Sequence, residues 1–141
     1  GRVLVQSNAD TLDGLDSTQF LRSDQTDIMN GDLNVTGDVN TNYSDDRLKN
    51  KLGPINDSLI KIKSLEGFYY EPNETALALG VNPDSSVGVS AQSVQKVLPE
   101  VVKTSPVSDE YLTVQYEKLV PMLIESIKEL EARVAELENR E

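Results

Sequence analysis

The sequence predicts an α+β domain that ends in a long coiled-coil helix and follows a β-rich segment. Residues 1–43 hold seven aspartates but no glutamate or lysine, and their apolar residues show no helical period. From Ser44 onward the composition changes to Lys, Glu, Leu, Ile and Val, and short helical and strand patterns alternate. The last apolar residues recur at alternating intervals of three and four, which is typical of a coiled coil. We therefore divide the chain into residues 1–43 and a domain of residues 44–141, of which 116–141 form the C-terminal helix.

The composition of the chain excludes several kinds of chemistry. It contains neither His nor Cys, so a Ser-His-Asp triad and a cysteine nucleophile are excluded, and covalent catalysis would rest on Ser, Thr, Lys or carboxylates. A net charge of −11 argues against binding to nucleic acid or to an anionic membrane surface. No apolar run could span a membrane, and there is no phosphate-binding glycine loop or metal cluster, so we expect no membrane insertion, no cofactor and no metal.

The size of the chain favours burial that is shared between copies. Among its 141 residues there are few aromatics and no Trp, so a large core within one chain is not expected. The start at Gly1 instead of Met indicates a fragment of a longer protein.

The N-terminal segment contains a near-repeat with a period of six residues. Gly31–Thr36 is followed by Gly37–Thr41, and in both pieces apolar and polar residues alternate after a Gly-Asp pair. This pattern is typical of short strands separated by turns. Two copies leave two interpretations open, a single hairpin or a segment of a fibrous shaft.

Short helices and strands are predicted between Ser44 and the C-terminal helix. Pro54 can occupy the first turn of a helix that runs to about Lys63, and a second helix runs from Gln92 until it is stopped before Pro99. Ser90 lies in a Gly-Val-Ser-Ala sequence that lacks a second Gly, and the chain has no His to activate it, so we expect a structural role. Strands are predicted at 65–71, 76–81, 87–91, 101–103 and 111–114.

The C-terminal segment, from about Tyr116, is predicted to be one long helix with a self-association seam. Its heptad a positions are Val120, Ile127 and Val134, and its d positions are Leu123, Leu130 and Leu137. β-Branched residues at a with Leu at d nominally favour two strands. Met122 and Ile124 widen the stripe, so we expect the first half to pack on its own domain. The alternative is an amphipathic helix that packs only on its own domain.

Ser44 and Lys49 are a candidate nucleophile and base five residues apart. A lysine amine activates a serine hydroxyl only when it is neutral; burial favours that state, and nearby carboxylates such as Asp45 and Asp46 oppose it. Residues five apart do not share a face of a helix or of a strand, so contact requires a turn, or a Lys49 that serves Ser44 of a neighbouring chain. The alternative is a capping sequence followed by a solvated basic face.

Four blocks of the sequence follow one another along the chain, at residues 44–49, 65–70, 87–102 and 111–130. Together, and in this order, they resemble the peptidase S74 domain, the C-terminal intramolecular chaperone of phage tail fibres, tailspikes and endosialidases, which also occurs in myelin regulatory factor proteins. In addition, the Leu-Asp-Gly-Leu-Asp-Ser-Thr-Gln-Phe-Leu stretch at 12–21 resembles the ends of phage tail-fibre shafts.

The resemblance implies a homotrimer that guides the folding of the upstream fibre segment and then cuts itself off. Its implied partners are further copies of itself and that upstream segment, within a virion tail fibre that is assembled in the host cytoplasm. The implied cut is at Tyr43–Ser44, with Ser44 as nucleophile, Lys49 as base, and Asp45 and Arg47 as supporting residues of the motif. A trimer replaces the two-stranded assembly that the heptads nominally favour.

Two alternatives to self-cleavage remain open at this stage. The domain could be a permanent trimeric cap in which Ser44 only caps a helix. It could also be a receptor-binding tip, and exposed aromatic residues would support this alternative. The only aromatic cluster is Phe68–Tyr70, and it reads as a buried strand.

Overall fold

The structure, a computed structural model, describes residues 11–140, which fall into two compact units. The first unit extends to Lys49 and the second begins at Asn50. The boundary at Ser44 that the composition suggests stays a prediction.

Within residues 11–49, the first unit is largely irregular chain. Strands β1 (Thr11–Leu12) and β2 (Leu15–Asp16) form a short antiparallel hairpin, which turns at Asp13 and Gly14 with positive φ angles of 49° and 79°. Two 3-10 helices follow, at Ser17–Gln19 and Asp46–Leu48. The strands predicted within residues 31–41 are absent from this single chain. In the single chain these residues have no neighbouring strand to pair with, and none of residues 11–49 is buried.

The second unit mixes four α-helices with two antiparallel strand pairs. The helices are α1 (Ser58–Lys63), α2 (Glu74–Ala78), α3 (Ala91–Val97) and α4 (Val120–Glu138), with 3-10 helices at Pro99–Val101 and Tyr116–Leu119. The strands are β3 (Phe68–Tyr70), β4 (Ser86–Gly88), β5 (Val102–Thr104) and β6 (Leu112–Val114). Strand β3 pairs with β4, and β5 pairs with β6. The mixed helix and strand composition of the predicted α+β class is therefore confirmed.

Two of the predicted elements are wrong. The strand at 76–81 is replaced by helix α2, because the Asn73 side chain accepts a hydrogen bond from the Ala76 N–H at 2.9 Å and so caps a helix that starts at Glu74. Pro54 does not begin a helix. Helix α1 starts four residues later, after Asp57 has taken a left-handed conformation with φ of 54°.

The core of the second unit is small and is organised around helix α3. Val94, Val101 and Val114 are buried together, one each from α3, the following 3-10 helix and β6. Ser90 caps α3 by accepting a hydrogen bond from the Ser93 N–H at 3.3 Å, as expected of a structural serine. Because so few side chains are fully buried, one chain gains little of the apolar burial that stabilises larger domains.

Helix α4 is fastened to this domain through α1. Met122 and Ser126 on α4 are buried, as are Ser58 and Leu59 on α1. The Asp57 side chain does not cap α1. The carboxylate of Glu129, a residue of α4, caps it instead. It accepts the N–H of Ser58 at 3.0 Å and of Leu59 at 3.3 Å. The sequence gives no local signal for this cap, since the two elements are about 70 residues apart.

Replacing Glu129 with alanine is expected to lower the free energy of unfolding by about 1–2 kcal/mol, because two N–H groups at a partly buried helix start lose their acceptor. Urea denaturation at a fixed protein concentration measures the change. Glu131→Ala is the matched control, since Glu131 is an exposed glutamate on the same helix. Equal stability of the two variants would contradict the capping role of Glu129.

Candidate functional site

Ser44 and Lys49 meet within one chain. Lys49 Nζ donates a hydrogen bond to Ser44 Oγ over 2.9 Å, and both residues are exposed. The contact is possible because the 3-10 helix Asp46–Leu48 lies between them. Its bonds run from the Leu48 N–H to the Asp45 carbonyl (3.1 Å) and from the Lys49 N–H to the Asp46 carbonyl (3.2 Å). This tight turn supplies the bend that a regular helix or a strand could not.

Asp45 holds the turn in place. Its carboxylate caps the 3-10 helix by accepting the Arg47 N–H at 2.8 Å, and it binds the Arg47 guanidinium through Nε (3.0 Å) and Nη2 (2.8 Å). The side-chain hydrogen bonds from Arg47, followed by its backbone N–H, lower the pKa of Asp45 below its ordinary value. The same contact raises the pKa of Arg47. Asp45 therefore stays ionised and acts as a brace for the turn.

These contacts correct the interpretation of Ser44 as a helix cap. The cap is Asp45, and the Ser44 hydroxyl is bonded to Lys49 instead. Arg47 is also engaged by Asp45 and does not belong to an independent basic face.

The Ser44–Lys49 hydrogen bond runs from the lysine amine to the serine hydroxyl. A solvated lysine amine is protonated at neutral pH and donates, which leaves the serine hydroxyl with its own proton. To act as a base, the amine must be neutral and must accept that proton. In this structure the pair is in hydrogen-bond contact and exposed to solvent.

The peptide bond before Ser44 is accessible. Tyr43 is 62% exposed and lies outside any helix or strand. Asn42, directly before it, has a left-handed backbone with φ of 59°, which asparagine tolerates better than most residues. The sequence reasoning did not identify this bend, although an Asn two residues before Ser44 is compatible with one.

The predicted seam of helix α4 is not covered by its own domain. Its six apolar side chains are between 43% and 64% exposed: Val120, Leu123, Ile127, Leu130, Val134 and Leu137. The domain packs on a neighbouring face of the helix, the one that carries Met122 and Ser126. The alternative in which this stripe packs on its own domain is therefore wrong. Met122 packs as expected, whereas Ile124 does not and is half exposed.

The aromatic cluster Phe68–Tyr70 forms the predicted strand, β3, but the strand is not buried. Tyr69 is 89% exposed, and all three residues are classed as exposed. Phe68 and Tyr70 contact each other edge to face, with ring centroids 6.3 Å apart. Strand β3 pairs only with β4, in a sheet of two strands, and this pairing leaves the rings exposed within one chain.

Within the described residues 11–140, no helix combines the length and the hydropathy that a bilayer crossing requires. Over the same range, no three or more acidic side chains are grouped in a way that could hold a metal ion.

Comparison with known proteins gives a consistent picture. Residues 44–103 match the family Peptidase S74, whose description is chaperone of endosialidase. The chain is also similar to the long tail fiber proteins Gp37 of Enterobacteria phages K3 and T2. Each is 35% identical to it over 119 residues, which cover 80% of this chain and 9% of the relative. The chain thus matches a small part of these much longer proteins, and the family match begins at Ser44.

We expect the exposed seam to drive self-association. Replacing Ile127 and Leu130 with Asp would place unpaired charge inside an assembled seam, at a cost of several kcal/mol. Sedimentation should then show monomers where the parent chain forms oligomers. Ile60→Asp is the control, because Ile60 is an exposed apolar residue on α1 outside the seam. An unchanged oligomer in the Ile127/Leu130 variant would remove α4 as the cause of assembly.

Proposed function

Residues 44–103 belong to the chaperone of endosialidase family, Peptidase S74, and we propose that this chain is a self-releasing chaperone of a phage tail fibre. It forms a homotrimer, assists the folding of the upstream fibre segment, and cuts its own chain at Tyr43–Ser44 in a single turnover. It works on further copies of itself and on the segment that precedes it, as part of a virion tail fibre. The similarity to the two phage tail fiber proteins supports this setting.

The observation that carries the proposed cleavage is the 2.9 Å contact between Lys49 Nζ and Ser44 Oγ. With the amine neutral, Lys49 takes the hydroxyl proton as Ser44 Oγ attacks the carbonyl carbon of Tyr43. The carbon–nitrogen bond between the two residues then breaks, and the proton passes to the leaving nitrogen, which becomes the amine of Ser44. Water hydrolyses the resulting ester, which releases a carboxylate at Tyr43 and restores the Ser44 hydroxyl.

Assembly is the proposed trigger of this step. In a single chain the Ser44–Lys49 pair is exposed to solvent, whereas a lysine base must be neutral to accept the hydroxyl proton. Packing of further copies around the pair would remove water and favour the neutral amine. The cut would then follow trimer formation and would not precede it.

The chaperone role follows from the uncovered residues of the first unit. None of residues 11–49 is buried, although Leu33, Val35 and Val39 carry the alternating pattern of strands. Such strands need partners from other chains, and pairing between chains is slow and prone to slip in register. A seam on α4 holds the chains at high effective concentration while they pair. Cleavage then removes the clamp and leaves the fibre kinetically trapped.

A second candidate function is a tip that stays on the virion and binds a receptor. It is favoured by the exposed aromatic residues of β3, above all Tyr69. In that case the chain would be a permanent trimeric cap and no cut would be needed. Mass spectrometry of assembled fibres separates the two functions, since only the self-releasing chaperone leaves a fibre that ends at Tyr43.

We expect Ser44→Ala to abolish cleavage, and Lys49→Ala to reduce it to a trace. Lys49→Arg should do no better, because a guanidinium stays charged and cannot accept the proton. Intact mass measurement detects the two fragments, one ending at Tyr43 and one starting at Ser44. Lys61→Arg is the control for the change of lysine to arginine. All four variants should remain trimers, because the seam is untouched. Fragments of these masses from Ser44→Ala would rule out Ser44 as the nucleophile.

Cleavage is also expected to depend on protein concentration. Below the concentration at which the trimer dissociates, the rate per chain should fall with the trimeric fraction, because the proposed reaction needs the pair to be shielded from water and a monomer leaves it exposed. Parallel sedimentation and time-resolved mass measurements over a dilution series test this relation. A rate per chain that is the same in monomer and trimer would separate cleavage from assembly.

A further inference from the structure

The segment before the proposed cut carries a strand pattern that runs up to the scissile bond. At odd positions from 33 to 43 the residues are Leu, Val, Gly, Val, Thr and Tyr, and at the even positions between them they are Asn, Thr, Asp, Asn and Asn. Apart from the glycine, the odd positions hold residues that are common in strands, and the even positions are all polar. By local preference alone, a strand that pairs between copies would therefore continue through Tyr43.

The backbone at Asn42 interrupts this pattern. The chain bends there, and Asn42 has a left-handed conformation with φ of 59°. A left-handed residue does not continue a strand, and among residues other than glycine, asparagine and aspartate tolerate this conformation best. None of residues 11–49 is buried, so no packing within this chain imposes the bend. The kind of residue at position 42 is therefore what permits it.

The position of the bend connects it with the proposed reaction. Tyr43 and Ser44 follow it directly and belong to no helix or strand, and the 3-10 helix begins at Asp46. The scissile peptide bond thus lies in a short irregular stretch between the bend and the turn that brings Lys49 to Ser44. A strand that ended at the bend would leave this peptide outside any sheet that the upstream segment forms.

A sheet would hinder attack on a peptide bond that it contains. The N–H and C=O groups of a paired strand are bonded to the neighbouring strands in a ladder. Those bonds hold the peptide group in place, whereas the carbonyl carbon of Tyr43 must become tetrahedral as Ser44 Oγ attacks it. Opening the ladder at that point would raise the barrier, because backbone groups that lose their partners cost free energy.

We propose that Asn42 is a positioning residue for self-cleavage. Its left-handed backbone ends the upstream strand before Tyr43 and keeps the scissile peptide outside the sheet that pairs the copies. This inference rests on the proposed function and adds a determinant upstream of the cut, on the part of the chain that cleavage leaves in the fibre. The Asn42 side chain contributes only through the backbone conformation that it permits.

The order of cleavage rates among variants at position 42 tests this inference. Full-length chains are synthesised in parallel, trimers are confirmed by sedimentation, and intact mass measurement follows the two fragments over time. Asn42→Val should be cut about tenfold more slowly than the parent, because a β-branched residue disfavours the left-handed conformation and favours a strand. Asn42→Gly should be cut at the parent rate, since glycine adopts that conformation without a steric penalty.

Asn40→Val is the matched control for the valine substitution. It makes the same change two residues upstream, at an exposed asparagine whose φ is not positive. It adds strand preference without touching the bend, and we expect it to be cut at the parent rate.

Hydrogen exchange gives a second measurement that does not depend on cleavage. Ser44→Ala chains stay uncut under the proposed function, so their trimers can be compared with and without Asn42→Val. The amides of residues 43 and 44 should exchange at least about tenfold more slowly in the double variant, because the strand then extends over them. Exchange that is the same in both trimers would overturn the role of the bend.

The cleavage outcomes separate this inference from the proposed function. Equal rates in the parent and the three variants overturn the positioning role and leave the self-cleavage proposal intact. An equal loss in Asn42→Gly and Asn42→Val also overturns it, because the side chain and not the bend would then be required. Equal slowing by Asn40→Val overturns it as well, since strand preference anywhere in the segment would then suffice. A confirmed parent trimer that is never cut overturns the proposed cleavage, and this inference with it.

Discussion

The contact between Ser44 and Lys49 depends on one tight turn. Five residues separate Ser44 from Lys49, and neither a regular helix nor a strand would bring their side chains together. A 3-10 helix braced by Asp45 and Arg47 closes that gap and leaves Lys49 Nζ 2.9 Å from Ser44 Oγ. The contact between the two side chains forms within one chain, and under the proposed function assembly supplies the change in solvation.

Helix α4 packs on its own domain with one face and leaves the adjacent face exposed. A small domain with such a helix can hold other copies without losing its own packing. One face, with Met122 and Glu129, ties the helix to α1 and supplies the missing cap of that helix. The adjacent stripe stays uncovered and is available to other copies. None of residues 11–49 is buried, so both units leave apolar surface that a single chain does not cover. Under the proposed function, this shared need for partners links fibre pairing, clamp formation and release.

The sequence predicts what local rules decide and misses what distant contacts decide. The α3 helix and the paired strands β5 and β6 follow from local pattern. A turn at Ser44 was one of the two ways in which the spacing allowed the pair to meet, but the choice of Asp45 as its cap depends on a competition between neighbouring polar side chains. The helix at Glu74 was missed because residues 76–81 were interpreted as a strand and the Asn73 side chain was not weighed as a cap. The exposure of Tyr69 could not be read from a strand pattern, since an alternating or aromatic run does not say whether a second layer exists.

The central claim is that nucleophile and base belong to the same chain, and complementation between two inactive variants tests it most directly. Ser44→Ala and Lys49→Ala chains are co-expressed with tags of different mass, and the mixed trimers are isolated and incubated. If the pair acts within one chain, as the 2.9 Å contact indicates, the mixed trimers stay uncut, because no chain carries both groups. Cleavage of the Lys49→Ala chains between Tyr43 and Ser44 would contradict the claim, because a lysine of a neighbouring copy would then be the base.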